Sequence, residues 1–133
     1  MINRVARAAS LSGVGPVWQL TTKGHVSGEE RTVPVAPIEL DGNRYLVAAY
    51  GIVGWVQNLR AAGAATLTQG RTRLTIEVTE VDAAEAGRVL AAYYPGYALI
   101  LAPHFDLPED PTEKDFADVA VDHPVFLVEV VRS

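Results

Sequence analysis

The chain contains no cysteine. Disulfides, thiolate metal sites and a thiol nucleophile are thereby excluded, and nothing in the sequence requires an oxidising compartment. Long apolar runs are missing too: none approaches the roughly 20 residues of a membrane span, and no leader-like apolar stretch follows Arg4 and Arg7. The expectation is a cytoplasmic protein with no integral membrane segment. Positive charge is scarce, with 11 Lys and Arg against 16 Asp and Glu and a net charge of −5. Phosphate neutralisation needs a basic surface, so no nucleic-acid partner is expected.

Several signatures of chemistry are absent as well. No G-x-x-x-x-G-K-[ST], G-x-G-x-x-G or G-x-S-x-G occurs, which removes the P-loop, the dinucleotide fingerprint and the nucleophile elbow. His25, His104 and His123 are isolated, and the acidic turn at Asp106, Glu109 and Asp110 lacks calcium-loop spacing. No metal site is expected. What remains is uneven charge: residues 1–81 hold eight Lys and Arg against six acids, residues 82–122 two against nine. An anionic ligand belongs on the first part of the chain.

A length of 133 residues is read as a single domain over 1–133, able to bury about two thirds of its unfolded surface. Apolar spacing predicts a short helix over 2–11, then strands over 14–22 and 30–40, the second marked as irregular or an edge by Pro34 and Pro37. Asp41-Gly42 turns into a strand over 44–50. Val53, Val56 and Leu59 predict a short helix ending at Ala62-Gly63, and strands over 65–69 and 71–81 flank Gly70. Asp82 and Glu85 cap a helix that Pro95-Gly96 ends. The segment 97–108 is undecided between helix and loop. Asp110 as cap and Pro111 at the first position predict a helix to about Ala120, and Val125–Val131 is a final strand. The order fits an α+β fold, mainly β, with a six-stranded antiparallel barrel and flanking short helices.

Two stretches carry most of the functional information. In LTTKGHVSGEERTVP, from Leu20 to Pro34, the residues Lys23, His25, Ser27 and Arg31 surround a Gly24–Gly28 loop. Its glycine turn and cations suit a phosphate, although the same residues describe a solvated hairpin tip. In GWVQNLR, from Gly54 to Arg60, a helix starting at glycine carries a ring face, an amide and a cation beside helix-start N–H groups. Trp55 suits either core packing or an aromatic ligand. Tyr93, Tyr94, Tyr97 and Phe105 form either core or a lid over a pocket.

Taken together, T-T-x-G-x-x-S-G-x-x-R-x-x-P (Thr21 to Pro34), W-x-x-N-L-R (Trp55 to Arg60), Y-P-G-Y (Tyr94 to Tyr97) and H-P-V-F (His123 to Phe126) resemble the deazaflavin-dependent nitroreductase family of actinobacteria. These motifs span residues 20 to 126. The resemblance implies a split β-barrel of the flavin and deazaflavin oxidoreductase superfamily, coenzyme F420 as cofactor, with FMN as the alternative, and hydride transfer to a small conjugated, quinone-like or nitro acceptor. It implies a phosphate-side contact at Lys23, His25, Ser27, Gly28 and Arg31, with Pro34 also among the cofactor-binding residues. Ala49, Tyr50, Gly51, Trp55 and Asn58 would border the deazaflavin, and Tyr94 and Tyr97 the acceptor. No catalytic side chain is expected, because the reduced cofactor carries the hydride. The loop departs from the family in having His25 where arginine is frequent and Val26 where a second base is frequent. That leaves Lys23 to supply charge, a weaker affinity, or a different ligand, since related barrels bind flavin, haem or tetrapyrroles, some without turnover. Monomer and homodimer both remain open.

Overall fold

The computed structural model describes residues 17–131, apart from the side chains of Tyr97, Leu99 and Ile100. The helix expected over 2–11 and residues 14–16 of the first expected strand lie outside the described residues. Seven strands form one antiparallel sheet: β1 (Trp18–Lys23), β2 (Glu30–Val35), β3 (Ile38–Leu40), β4 (Asn43–Val47), β5 (Ala64–Gln69), β6 (Thr72–Glu80) and β7 (Val125–Val130). Their order is β2-β1-β5-β6-β7-β4-β3.

The strand count corrects the expected six. The run 30–40 is two strands, because Pro37 has no N–H to extend a ladder and the chain changes partners there. β2 pairs with β1, from Lys23 opposite Glu30 to Trp18 opposite Val35, while β3 pairs with β4, Ile38 lying opposite Tyr45. Consecutive strands thus lie at opposite edges of the sheet. Three Cα steps separate Val35 from Ile38, a reach of about 11 Å at most. The sheet must therefore curl until its edges approach, which makes a half-barrel.

Alternation along β1 drives Trp18, Leu20 and Thr22 inward and leaves Gln19 and Lys23 outside. With Leu46, Leu67, Ile76 and Phe126 they form the barrel core, onto which α1 (Gly54–Ala62) packs Val56 and Leu59. Gly63 ends α1 in the left-handed conformation, φ 70°, as a glycine after a helix does.

A second core lies on the sheet's other side, where Tyr45 and Val125 meet α2 (Ala83–Tyr93) and α4 (Glu113–Val119). Asp82 caps α2 by accepting from the Glu85 N–H at 2.9 Å, as its sequence predicts. The cap of α4 is corrected: Thr112, not Asp110, is the capping residue, in a reciprocal box with Asp115. Asp110 instead adopts a left-handed turn, φ 54°, two residues earlier. The undecided segment resolves into short turns: a 3₁₀ turn Tyr94–Tyr97, one helical turn α3 (Ala98–Leu101) and a 3₁₀ turn Ala102–His104. Pro95 and Pro103 stand near the starts of the two 3₁₀ turns, where a missing N–H is tolerated, and interrupt the helical ladder that precedes each. Among the described residues no helix is long and apolar enough to cross a membrane.

Candidate functional site

Residues 24–29 join β1 to β2, so the loop sits at one end of an edge hairpin. Gly28 has φ +77°, and a Cβ on Gly24 would meet Ser27 Oγ at 2.8 Å, so both glycines are needed for so tight a turn. The loop's own backbone is largely committed. Gly24 N–H donates to Glu29 O at 2.7 Å, Gly28 N–H to Gly24 O at 2.9 Å, and Glu29 N–H to Ser27 Oγ at 3.1 Å. These donors face inward. Anion capture at this loop therefore rests more on side chains than on a backbone concavity.

Asn58, on the buried face of α1, anchors the loop. Its Oδ1 accepts from the His25 backbone N–H at 2.9 Å, and its Nδ2 donates to Thr22 Oγ1 at 2.9 Å. At 4% exposure Asn58 holds β1, the loop and α1 together. The sequence could show an amide near a cavity but not that both its ends are occupied. Arg60 likewise turns away. Its guanidinium makes two 2.8 Å hydrogen bonds to Glu80 on β6, which raise Arg60 above its ordinary pKa and hold the Glu80 carboxyl below the usual carboxylate range. The cation read beside Trp55 is thus an ion-pair partner.

Two cavities flank Trp55. One, of about 480 Å³, is lined by Gly24, His25, Ser27, Arg31, Gly54 and Asn58, with Val33 and Val53 as apolar walls. α1 opens toward it without a side-chain cap; Val56 and Gln57 N–H donate to Val53 O, and the first two helical residues, Gly54 and Trp55, lie at its edge. The other, of about 220 Å³, is lined by Pro34, Val35, Leu46, Ala49, Tyr50 and Tyr93. Among the described residues no formally charged side chain lines it. Trp55 belongs to both walls and packs its other side on Phe126, ring centroids 6.3 Å apart. It is therefore half core and half cavity wall. Cavities of this size and polarity suit small organic ligands.

The end of β4 shapes the smaller cavity. Ala48 N–H donates to Pro124 O at 2.9 Å, and Gly51 turns the chain at φ +95°. Tyr50, 60% exposed, meets His104 edge-on at 5.0 Å. Buried His123 pins this corner: its Nδ1 lies 2.9 Å from Ala48 O, its Nε2 3.0 Å from His104 O, and its ring stacks on Phe105. Tyr94 turns its ring against Phe105 and Phe116, centroids 5.3 and 5.5 Å away, whereas its neighbour Tyr93 reaches the cavity wall. The Tyr97 side chain is outside the described residues. Of the predicted set, His25, Ser27, Arg31, Trp55 and Asn58 gather at the larger cavity, and Pro34, Ala49, Tyr50 and Trp55 at the smaller. Gly28, within the loop, and Lys23, beside it, are in neither lining, and a Cβ on Gly28 would meet Lys23 Cε at 3.8 Å. Tyr93, read from the sequence as either core or lid, lines the smaller cavity, whereas Val26, Val33 and Val53 of the larger lining carried no binding signal in the sequence.

Comparison with solved structures gives the same fold. An F420-H2 dependent reductase, FDR-A, superposes with a TM-score of 0.57 at 23% identity, covering 86% of this chain and 94% of that one. A structure described as a domain-swapped dimer gives 0.57 at 24% identity, over 96% and 93%. The haem storage protein HutZ of Vibrio cholerae gives 0.63 at 12%, over 99% and 89%. Comparison with curated proteins gives no significant sequence match. The family model of F420H(2)-dependent quinone reductase matches residues 3–99. The donor set fits a coenzyme with an anionic tail and an aromatic head, and the chain belongs to the F420H(2)-dependent quinone reductase family, a family of oxidoreductases that use F420.

Proposed function

We propose that this protein reduces a small, neutral, flat acceptor, quinone-like or nitro-substituted, using coenzyme F420 seated across the two cavities that share Trp55. That shared wall is the observation carrying the reading: a donor-lined cavity and an apolar one meet at a single indole. The bound reduced coenzyme supplies the hydride. Lys23 and Arg31 neutralise its tail, His25, Ser27 and Gly28 lie beside it, and Pro34 lines the smaller cavity. Asn58 keeps the loop in place. Trp55 orients the ring, and Ala49, Tyr50 and Gly51 border it and exclude water, which strengthens the electrostatics and fixes the distance for transfer.

Tyr94 and Tyr97 are the proposed acceptor side, next to Tyr93, which lines the smaller cavity. A proton for the reduced product comes from solvent or from a tyrosine hydroxyl. Among the described residues no formal charge lines the smaller cavity, which favours an uncharged acceptor, since a buried unpaired charge there would be costly. A cytoplasmic setting and a monomer or homodimer belong to the same proposal. The test is anaerobic oxidation of reduced F420 by the purified chain with a water-soluble quinone. Coenzyme-dependent turnover is expected. Tight coenzyme binding without turnover of any quinone or nitro compound would make the protein a carrier, and a flavin co-purifying with the chain would redirect the reading to FMN.

A further inference from the structure

The hydrogen bonds around Asn58 determine which nitrogen of His25 is available. The Asn58 NH2 group only donates, so the 2.9 Å bond from the His25 backbone N–H fixes the amide orientation, with Oδ1 toward the loop. The Nδ2 bond to Thr22 agrees with that orientation. Oδ1 only accepts. His25 Nδ1, 2.7 Å from the same oxygen, must therefore carry a proton. In the neutral ring Nε2 is then an acceptor with a lone pair, and an anionic oxygen brought against it is repelled. Protonation turns Nε2 into a charged donor while Nδ1 and the loop stay where they are.

The neighbouring charges make that change matter. Lys23, at the end of β1, lies beside the loop, and Arg31, on β2, lines the cavity. Glu29 faces Arg31 across a 3.6 Å ion pair and weakens it as an anion ligand, and Glu30 adds a further negative charge at the start of β2. From α1 the only ionisable group is Arg60, and Glu80 already holds it. The loop's Gly24, His25, Gly28 and Glu29 N–H groups are used internally.

We propose that His25 Nε2 is a proton-gated anion ligand: Asn58 holds the ring in the Nδ1–H form, so the site gains a cation in addition to Lys23 and Arg31 toward the coenzyme's phosphate only when Nε2 is protonated. This rests on the reading of the larger cavity as the phosphate side. The consequence is coenzyme affinity that strengthens as pH falls, imidazole being the side chain that ordinarily changes charge near neutrality.

The experiment is a fluorescence titration of the full chain with F420 from pH 8.5 to 5.5, in wild type, His25→Gln and His25→Arg. The coenzyme's own titration cancels in the ratio to His25→Gln. Wild-type affinity relative to that variant should rise about tenfold toward low pH, the scale of one charge-assisted hydrogen bond. The His25→Arg ratio should stay flat and high. A ligand-free readout is the imidazole ¹⁵N spectrum, where Nδ1 should be the protonated nitrogen of the neutral ring. A flat wild-type ratio with coenzyme still bound, or an Nε2–H neutral ring, overturns the proposal and leaves the cofactor reading standing. Coenzyme binding by none of the three proteins at any pH overturns both.

Discussion

The two cores of this molecule are built to different tolerances. On the helical side α2 and α4 cross so closely at Gly87 that an added Cβ would lie 2.7 Å from Glu113 O and 2.8 Å from Ala117 N. Tyr94, Phe105 and Phe116 fill the space beside them. On the barrel side Trp55 is packed on one face only, and cavities of about 480 and 220 Å³ adjoin it. The difference assigns work to each region. Close packing holds β4 and β7 in place from behind, and the space left in front is where a ligand of mixed polarity can lie. Tyr45 ties β4 to the helical side, its ring buried and its hydroxyl donating to Glu85 of α2 at 2.8 Å.

This contrast can be broken by substitution. Gly87→Ala should have the largest effect: overpacking by about 3 kcal/mol, offset by about 1 kcal/mol of helix propensity, leaves a loss near 2 kcal/mol in urea unfolding. The folded fraction should bind coenzyme normally. Trp55→Ala should do the reverse, weakening coenzyme binding about tenfold, the scale of an aromatic contact; unchanged affinity in the folded variant would return Trp55 to the core. Arg31→Ala, at an exposed side chain, should weaken coenzyme binding about fivefold while moving the urea midpoint by less than about 0.5 kcal/mol.

The smallest effect sharpens the comparison at its boundary, where Arg60 serves the scaffold rather than the ligand. Glu80→Gln should cost about 0.5 kcal/mol, since both partners are more than a third exposed. Its folded-state pKa is depressed by the Arg60 hydrogen bonds. The stability it contributes is therefore present above the unfolded carboxylate value, about 4.3, and is lost as pH falls through the lower folded value. Wild type and variant should converge in stability in acid and separate above about pH 5, with coenzyme affinity the same in both.

The contrast was partly legible in the sequence. Strict alternation at Leu74, Ile76 and Val78, the Asp82 cap and the Gly63 stop are local signals, and local signals survive folding unchanged. The seventh strand was hidden because residues 30–40 change partners at Pro37, and partner choice is a property of the whole sheet. Asp110 and Thr112 both qualify as caps by type, and only backbone geometry chooses between them. At the site, spacing brought Trp55, Asn58 and Arg60 to one short helix. It could not show that Asn58 faces the loop, that Arg60 meets Glu80 twenty residues later, or that Tyr93 rather than Tyr94 reaches the cavity wall. Each of those depends on what stands opposite.

The central claim is that both cavities beside Trp55 belong to one F420 site. Its most direct test is titration of the full chain with F420, following tryptophan emission together with coenzyme fluorescence in wild type and Trp55→Phe. The account predicts saturable changes in both signals for wild type, with the tryptophan response largely lost in Trp55→Phe because the remaining Trp18 is buried in the barrel core. No saturable change up to tens of micromolar coenzyme, or a tryptophan response that Trp55→Phe leaves intact, would contradict it.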